Sequence, residues 1–365
     1  MHILRKLDKH RSALRNMILS NSKKTIAHCS FHESNALRLL AAETPTLLAR
    51  LLQTSPEQIQ DAINYPQYTH YAIAKKKGGK RAICAPENEL KQLQKRLNFF
   101  LQAYYLHSKP AEVHGFVINP NYLGRTCNIV SNAKAHTGKK YVFNLDLKDF
   151  FSRITTKQVK SVFMSDLFVF DENMANALTL LVTYQGKLPT GAPSSPVVSN
   201  FVCLPLDDAL KGFSIDQGWS YSRYADDLTF SSNSPIQTDD ILDLINIIKQ
   251  YGFHVNNKKV RLSTSVRKQT VTGLVVNEKV NIDRKVLKKI RAMLHHLHTG
   301  GLAAATQKHF HLTRPASERE KEFFLNRLDG LINFVGQVRG KEDHMYRNFH
   351  DSIALYHANQ ALSHP

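Results

Sequence analysis

The chain has 365 residues, 42% of them hydrophobic, with a net charge of +19 and a pI of about 9.7. Such a length suits two or three sub-domains around a sizeable core, and the positive excess points to a polyanion, nucleic acid first and anionic membrane second. No apolar run approaches the ~18 residues of a spanning helix. The N-terminus, Met1-His-Ile-Leu-Arg-Lys-Leu-Asp-Lys-His-Arg11, is too charged for a signal peptide. Four cysteines, Cys29, Cys84, Cys127 and Cys203, form no C-x-x-C pair, which fits a reducing cytoplasm and argues against zinc.

Residues 1 to 70 read as helical. Leu4, Leu7, Leu14 and Ile18 make an imperfect apolar stripe, and Ala36 to Leu52 is a second run interrupted at Pro45. Next, Tyr71 to Pro86 places two short strands around Lys75, Lys76, Lys77, Gly78, Gly79, Lys80 and Arg81. Gly-Gly permits the positive φ of a tight hairpin, and the charges at its tip suit a phosphate clamp or a solvated basic loop. A helix over Leu90 to Leu106 carries Leu90, Leu93, Leu97, Phe100 and Leu101 on one face. His114-Gly115-Phe116 and Asn132-Ala133-x-x-His136 follow, before an apolar strand, Tyr141-Val-Phe-Asn-Leu-Asp-Leu-Lys-Asp-Phe-Phe151, that bears Asp146. Alternation lets one of Phe150 and Phe151 enter the core while the other faces a site.

Leu188-Pro-Thr-Gly-Ala-Pro-Ser-Ser-Pro-Val-Val-Ser-Asn200 reads as a loop shaped by proline and glycine with a helix starting behind it. Ser220-Tyr-Ser-Arg-Tyr-Ala-Asp-Asp-Leu-Thr-Phe-Ser-Ser232 reads as paired strands interrupted by Asp226-Asp227. Thr238 is the expected cap of a helix with Ile241, Leu244, Ile245 and Ile248 inside, ended by Gly252. Phe253 to Leu262 is expected to be a strand with Lys258 and Lys259 at its centre, followed by Val271-Thr272-Gly273. A helix from Asp283 alternates Val286, Leu287, Ile290, Met293, Leu294 and Leu297 with Arg284, Lys285, Lys288, Lys289 and Arg291, and Gly300-Gly301 is expected to stop it. Ser317-x-x-Glu320 is a capping box for another helix, and a last one follows Asp343. The histidines at 295, 296, 298, 309 and 311 read as surface or nucleic-acid contacts, with no cysteine or carboxylate at ligand spacing.

Adjacent carboxylates at a strand tip repel and lose solvation, and a bound hard cation is the cheapest way to keep them there. Two strands ending in Asp146 and in Asp226-Asp227 could hold two metals, as an in-line nucleotidyl transfer needs. In this setting the pattern resembles the palm of reverse transcriptases. Asp146 matches their motif A, Leu188 to Asn200 motif B, Tyr224 to Asp227 motif C, and His114-Gly115-Phe116 motif 2. Asn132-Ala133-x-x-His136 and Val271-Thr272-Gly273 are similar to signatures of the retron enzymes among them.

The resemblance covers about residues 70 to 340 and implies an α+β, right-hand fold of fingers, palm and helical thumb. The expected segments are an N-terminal helical region over 1–70, fingers over 71–140, a palm over 141–278 with part of 152–200 lent to the fingers, and a basic thumb over 279–365. It implies that Asp146, Asp226 and Asp227 hold two Mg²⁺ ions. Lys75, Lys77 and Arg81, with Thr190 and Gly191, would contact the incoming deoxynucleoside triphosphate, and Phe151 would exclude a 2′-OH. Lys259, at motif D, would protonate the leaving pyrophosphate. Thr190 departs from the pattern, since the family usually has Gln there. Asn132, His136, Val271, Thr272 and Gly273 would serve recognition of a cognate structured non-coding RNA, and Arg284, Lys285, Lys288, Lys289 and Arg291 would grip an RNA·DNA duplex by its phosphates. The implied product is a branched RNA–DNA molecule primed from a 2′-OH, made in an anti-phage system with an effector protein and no membrane. A group II intron-like enzyme is the alternative within the class, and a non-catalytic RNA-binding protein the alternative outside it.

Overall fold

A computed structural model of the chain describes residues 2–22, 24–26, 28–75, 78–119 and 126–363. In chain order its elements begin α1 (His2–Leu19), α2 (Phe31–Ala41), α3 (Pro45–Leu51), α4 (Pro56–Asn64), β1 (Tyr68–Ala74), β2 (Lys80–Pro86), α5 (Asn88–Ser108), α6 (Ile129–Lys134) and β3 (Tyr141–Asp146). Then come α7 (Phe150–Arg153), α8 (Thr156–Phe163), α9 (Glu172–Val182), α10 (Ser195–Val202), α11 (Leu204–Asp216), β4 (Ser220–Tyr224), β5 (Asp227–Ser232) and α12 (Thr238–Gln250). The chain closes with β6 (Arg261–Thr264), β7 (Thr270–Val271), β8 (Leu274–Val275), α13 (Arg284–Phe310), α14 (Glu318–Arg339) and α15 (His344–Ser363). It divides into two compact units, Met1–Asn128 with Phe143–Leu262, and Ile129–Val142 with Ser263–Pro365.

The first unit opens with four helices, and the starts of α2, α3 and α4 are written in the sequence. Ser30, Thr44 and Ser55 each accept a hydrogen bond from a backbone N–H of the first turn, and Pro45 and Pro56 sit where a helix needs no donor. Leu7, Leu14 and Ile18 are buried as the stripe predicts. β1 and β2 form an antiparallel hairpin in the register Tyr68↔Pro86 to Ala74↔Lys80, with Gly78 and Gly79 at φ 89° and 81°. The central sheet has the order β4-β5-β3-β6. Phe143, Leu145, Leu228 and Phe230 are buried in it, while Tyr224 and Asp227 close the β4–β5 hairpin.

Two sequence expectations change here. Residues 253–260 do not run as a strand. Val255 makes a single bridge to Leu147, and then Asn257–Lys259 form a 3₁₀ turn closed by the Lys259 N–H on the Asn256 carbonyl, so β6 begins only at Arg261. The cap of α12 is Gln237, not Thr238, and its N–H donates to Asp240 Oδ2 at 2.9 Å.

The second unit is built on one core. Val130 and Ala133 of α6 pack with Val271 and Leu274 of the β7–β8 hairpin, with Leu287, Ile290 and Leu294 of α13, and with Phe324 and Leu328 of α14. Gly300-Gly301 does not end α13. Gly301, at φ 75°, kinks it and the helix continues to Phe310, because the following Ala-rich stretch favours helix and buries Ala305. Ser317 and Glu320 make the expected capping box. Arg284, Lys285, Lys288 and Arg291 are exposed and Lys289 is half-buried, around the buried Leu287 and Ile290. Among the described residues, no helix is long and apolar enough to cross a membrane.

Candidate active site

The β4–β5 hairpin turns through two residues, Ala225 and Asp226. Ala225 has φ 60°, in the left-handed region that favours glycine, while Asp226 does not. Asp227 opens β5, and Asp146 ends β3, the neighbouring strand. The Leu147 N–H donates to the Asp226 carbonyl at 2.9 Å, which fastens the end of the Asp146 strand to the turn. All three aspartates are thereby brought to one end of the two central strands.

Their electrostatics are those of a crowded anionic cluster. Desolvation, then the charge of Asp146, raises Asp226 above the usual carboxylate range. Asp227 is pushed up to about 7 by desolvation, then by Asp226 and Asp146. Lys259 compensates the cluster at contact distance, with Arg81 adding to it at Asp226; the Lys259 Nζ donates to Asp146 Oδ1 at 2.6 Å, and its own pKa is raised by the three carboxylates against desolvation. Asn256 donates to Asp146 twice, from its N–H at 2.8 Å to the carbonyl and from Nδ2 at 3.3 Å to Oδ2. Sequence reasoning missed Asn256 as a partner of the aspartate. Among the described residues, no group of three His, Cys, Asp or Glu side chains is drawn together tightly enough to cage an ion. The aspartates are an open set, and their mutual repulsion is the property that a divalent cation would relieve, so the residues fit one.

Around this cluster the other expected residues divide. Phe150 is buried and stacks on Phe253, whereas Phe151 is half-buried with its ring 5.9 Å from Phe116. Gly115 lies flush on the turn. A Cβ there would stand 2.4 Å from the Ala225 nitrogen, so no side chain fits. A cavity of about 460 Å³ opens beside Tyr224, lined by Gln102, His114, Phe116, Pro193 and Pro196. Thr190 faces the β1–β2 hairpin. Its Oγ1 accepts from the Cys84 N–H at 3.0 Å and donates to the Ala82 carbonyl at 3.1 Å, and the Gly191 N–H donates to Cys84 at 2.8 Å. Lys75 and Arg81 are exposed on that hairpin; Lys77 lies outside the described residues.

In the second unit, Asn132, His136 and Val271 are fully buried. Thr272 and Gly273 form the β7–β8 turn, both at positive φ, and Thr272 Oγ1 donates to the Ile129 carbonyl at 3.2 Å. The two short signatures therefore meet. Burial fits Asn132 and His136 for shaping this segment better than for reaching out to a ligand in this conformation. Asn132 has no hydrogen-bond partner for either amide atom among the described residues.

The family model described as reverse transcriptase (RNA-dependent DNA polymerase) matches residues 73–276. The chain belongs to that family of RNA-directed DNA polymerases, in its retron branch. The Retron Ec86 reverse transcriptase of Escherichia coli is 37% identical over 64% of this chain and 71% of its own length. The Retron Mx65 reverse transcriptase of Myxococcus xanthus is 34% identical over 75% of this chain and 62% of its own. Among solved structures, an apo telomerase from Candida Tropicalis overlaps with a TM-score of 0.44 at 13% identity, covering 78% of this chain and 60% of that one; at that distance the overlap decides nothing.

Proposed function

We propose that the chain reverse-transcribes a cognate structured non-coding RNA, priming from a 2′-OH of that RNA to leave a branched RNA–DNA product. The observation that carries this reading is the gathering of Asp146, Asp226 and Asp227 at one end of the central strands in a chain of the retron branch. Asp146, Asp226 and Asp227 would hold two Mg²⁺ ions, which when bound would supply charge neutralisation for the transfer. Lys259 stays protonated beside Asp146, the form that can give a proton to pyrophosphate. Lys75, Lys77 and Arg81 neutralise the triphosphate of the deoxynucleotide, and Phe151 leaves no room for its 2′-OH. In the second unit, the exposed basic face of α13 holds duplex phosphates, while the segment from Asn132 to His136 and the Val271–Gly273 turn serve the cognate RNA. The setting is a cytoplasmic anti-phage system with an effector protein.

The test is synthesis from the cognate RNA and labelled deoxynucleotides, with product analysed for the branch. Asp226→Ala and Asp227→Asn should abolish synthesis and leave RNA binding near wild type, since affinity comes from the basic surface. Activity within tenfold of wild type in both variants refutes the site; product without a branch leaves a reverse transcriptase that primes in another way.

A further inference from the structure

Beneath the β4–β5 turn lies an ion pair that no part of the proposed chemistry uses. Arg223 and Asp207 are 0% and 1% exposed. The guanidinium forks onto the carboxylate, Nε to Oδ1 at 2.7 Å and Nη2 to Oδ2 at 2.6 Å, and Tyr221 donates to the same Oδ1 at 2.8 Å. The remaining arm, Nη1, donates to Asn200 Oδ1 at 2.9 Å and to the Ala225 carbonyl at 3.2 Å. Asn200, also buried, donates from Nδ2 to the Gly115 carbonyl at 3.1 Å. The strand and the preceding segment are joined too, with the His114 N–H on the Arg223 carbonyl at 2.9 Å.

A buried ion pair is poor support for stability, because the desolvation of both charges offsets their attraction. What this one adds is geometric. The turn residue Ala225 sits in a conformation where a Cβ is disfavoured, and the planar fork of Arg223 reaches its carbonyl while Asp207 and Asn200 fix the fork. Gly115, held by Asn200, closes the other side of the turn. A lysine could pair with Asp207 but could not reach four acceptors on a fixed plane.

We infer that Arg223, oriented by Asp207 and Asn200, is a positioning residue that holds the turn bearing Asp226 and Asp227 in the form that takes up divalent cation. This rests on the reading of those aspartates as cation ligands. Support shells behind metal ligands typically change affinity by about 10- to 100-fold when removed. The test is Arg223→Lys in the full chain. Mn²⁺ binding is followed by the electron paramagnetic resonance of the free ion, Mg²⁺ half-saturation and kcat by primer extension, and RNA binding and Tm are measured alongside. The expected result is weaker Mn²⁺ binding and higher Mg²⁺ half-saturation, each by about tenfold, with RNA affinity unchanged. If Arg223→Lys does not fold, Asn200→Ala, which leaves the ion pair whole, gives the answer in the same assays. A folded variant whose Mn²⁺ affinity and Mg²⁺ half-saturation stay within about twofold of wild type, against the tenfold expected, overturns the inference. So does a loss of RNA affinity as large as the loss of Mn²⁺ affinity. Asp227→Asn run in parallel separates the failures: unchanged Mn²⁺ binding there refutes the ligand assignment itself.

Discussion

At the scale of single residues, neighbours in sequence have opposite fates. Phe150 is stacked on Phe253 in the core, while Phe151, one step on, is half-buried beside Phe116. Phe151→Val should therefore admit ribonucleotides with little loss of stability. The measurement is the ratio of kcat/KM for a deoxynucleotide to that for its ribonucleotide, and an unchanged ratio assigns Phe151 to packing. His114 makes a different point. Burial, then the charge of Lys109, holds its pKa down to about 4. A base whose folded pKa lies below its unfolded value, about 6.5, is neutral and harmless above that value. As pH falls from there towards 4 the unfolded chain takes up the proton first, and stability is lost. Wild type should thus lose more Tm than His114→Gln between pH 7 and pH 4.5, and parallel curves would show that His114 does not control the loss.

At the scale of elements, the β1–β2 hairpin is fastened to the loop before α10 through one hydroxyl. Thr190→Val keeps the shape of the side chain and removes the bonds to Ala82 and Cys84. Its expected effect is a several-fold rise in KM for deoxynucleotides with kcat little changed, because the base of the arm carrying Lys75 and Arg81 is loosened; each lost bond is worth about 1 kcal/mol. Thr190→Ser should restore wild-type values, and a normal KM in the valine variant would disconnect the strap from nucleotide binding. The Ser317-x-x-Glu320 capping box, the Gly78-Gly79 hairpin and the Asp146 and Asp226-Asp227 strand ends were readable in the sequence, since each depends on a few adjacent residues. The segment holding Lys259 reads as strand, yet it folds as a 3₁₀ turn that brings the amine to Asp146. Partners far apart in the chain were not readable. Nothing near Asp207 announces Arg223, and nothing near Asn256 announces Asp146, because such pairings are decided by the fold. The kink at Gly301 was read as an end because glycine signals both.

For the whole molecule, the division of the chain separates two kinds of defect. The three aspartates belong to the first unit, and Asn132 and His136 to the second. A buried amide with no hydrogen-bond partner among the described residues costs stability, about 1–3 kcal/mol, so Asn132→Ala should leave Tm unchanged or higher. Branched-product synthesis on the cognate RNA should fall, while extension of an annealed DNA primer on an unrelated template persists. Equal loss of both activities, or a lowered Tm, would make Asn132 a packing residue. The second unit also has a history built into it. Its core joins Val130, Ala133 and Val142 to residues beyond 263, with 143–262 threaded between. A ribosome releases the early segment long before its packing partners exist. Through the making of the whole aspartate sheet, that segment stays a sticky, unpaired piece of nascent chain. Translation halted near residue 262 would leave the three aspartates complete in sequence and the apolar face of α6 bare, so arrested chains are marked for aggregation or proteolysis.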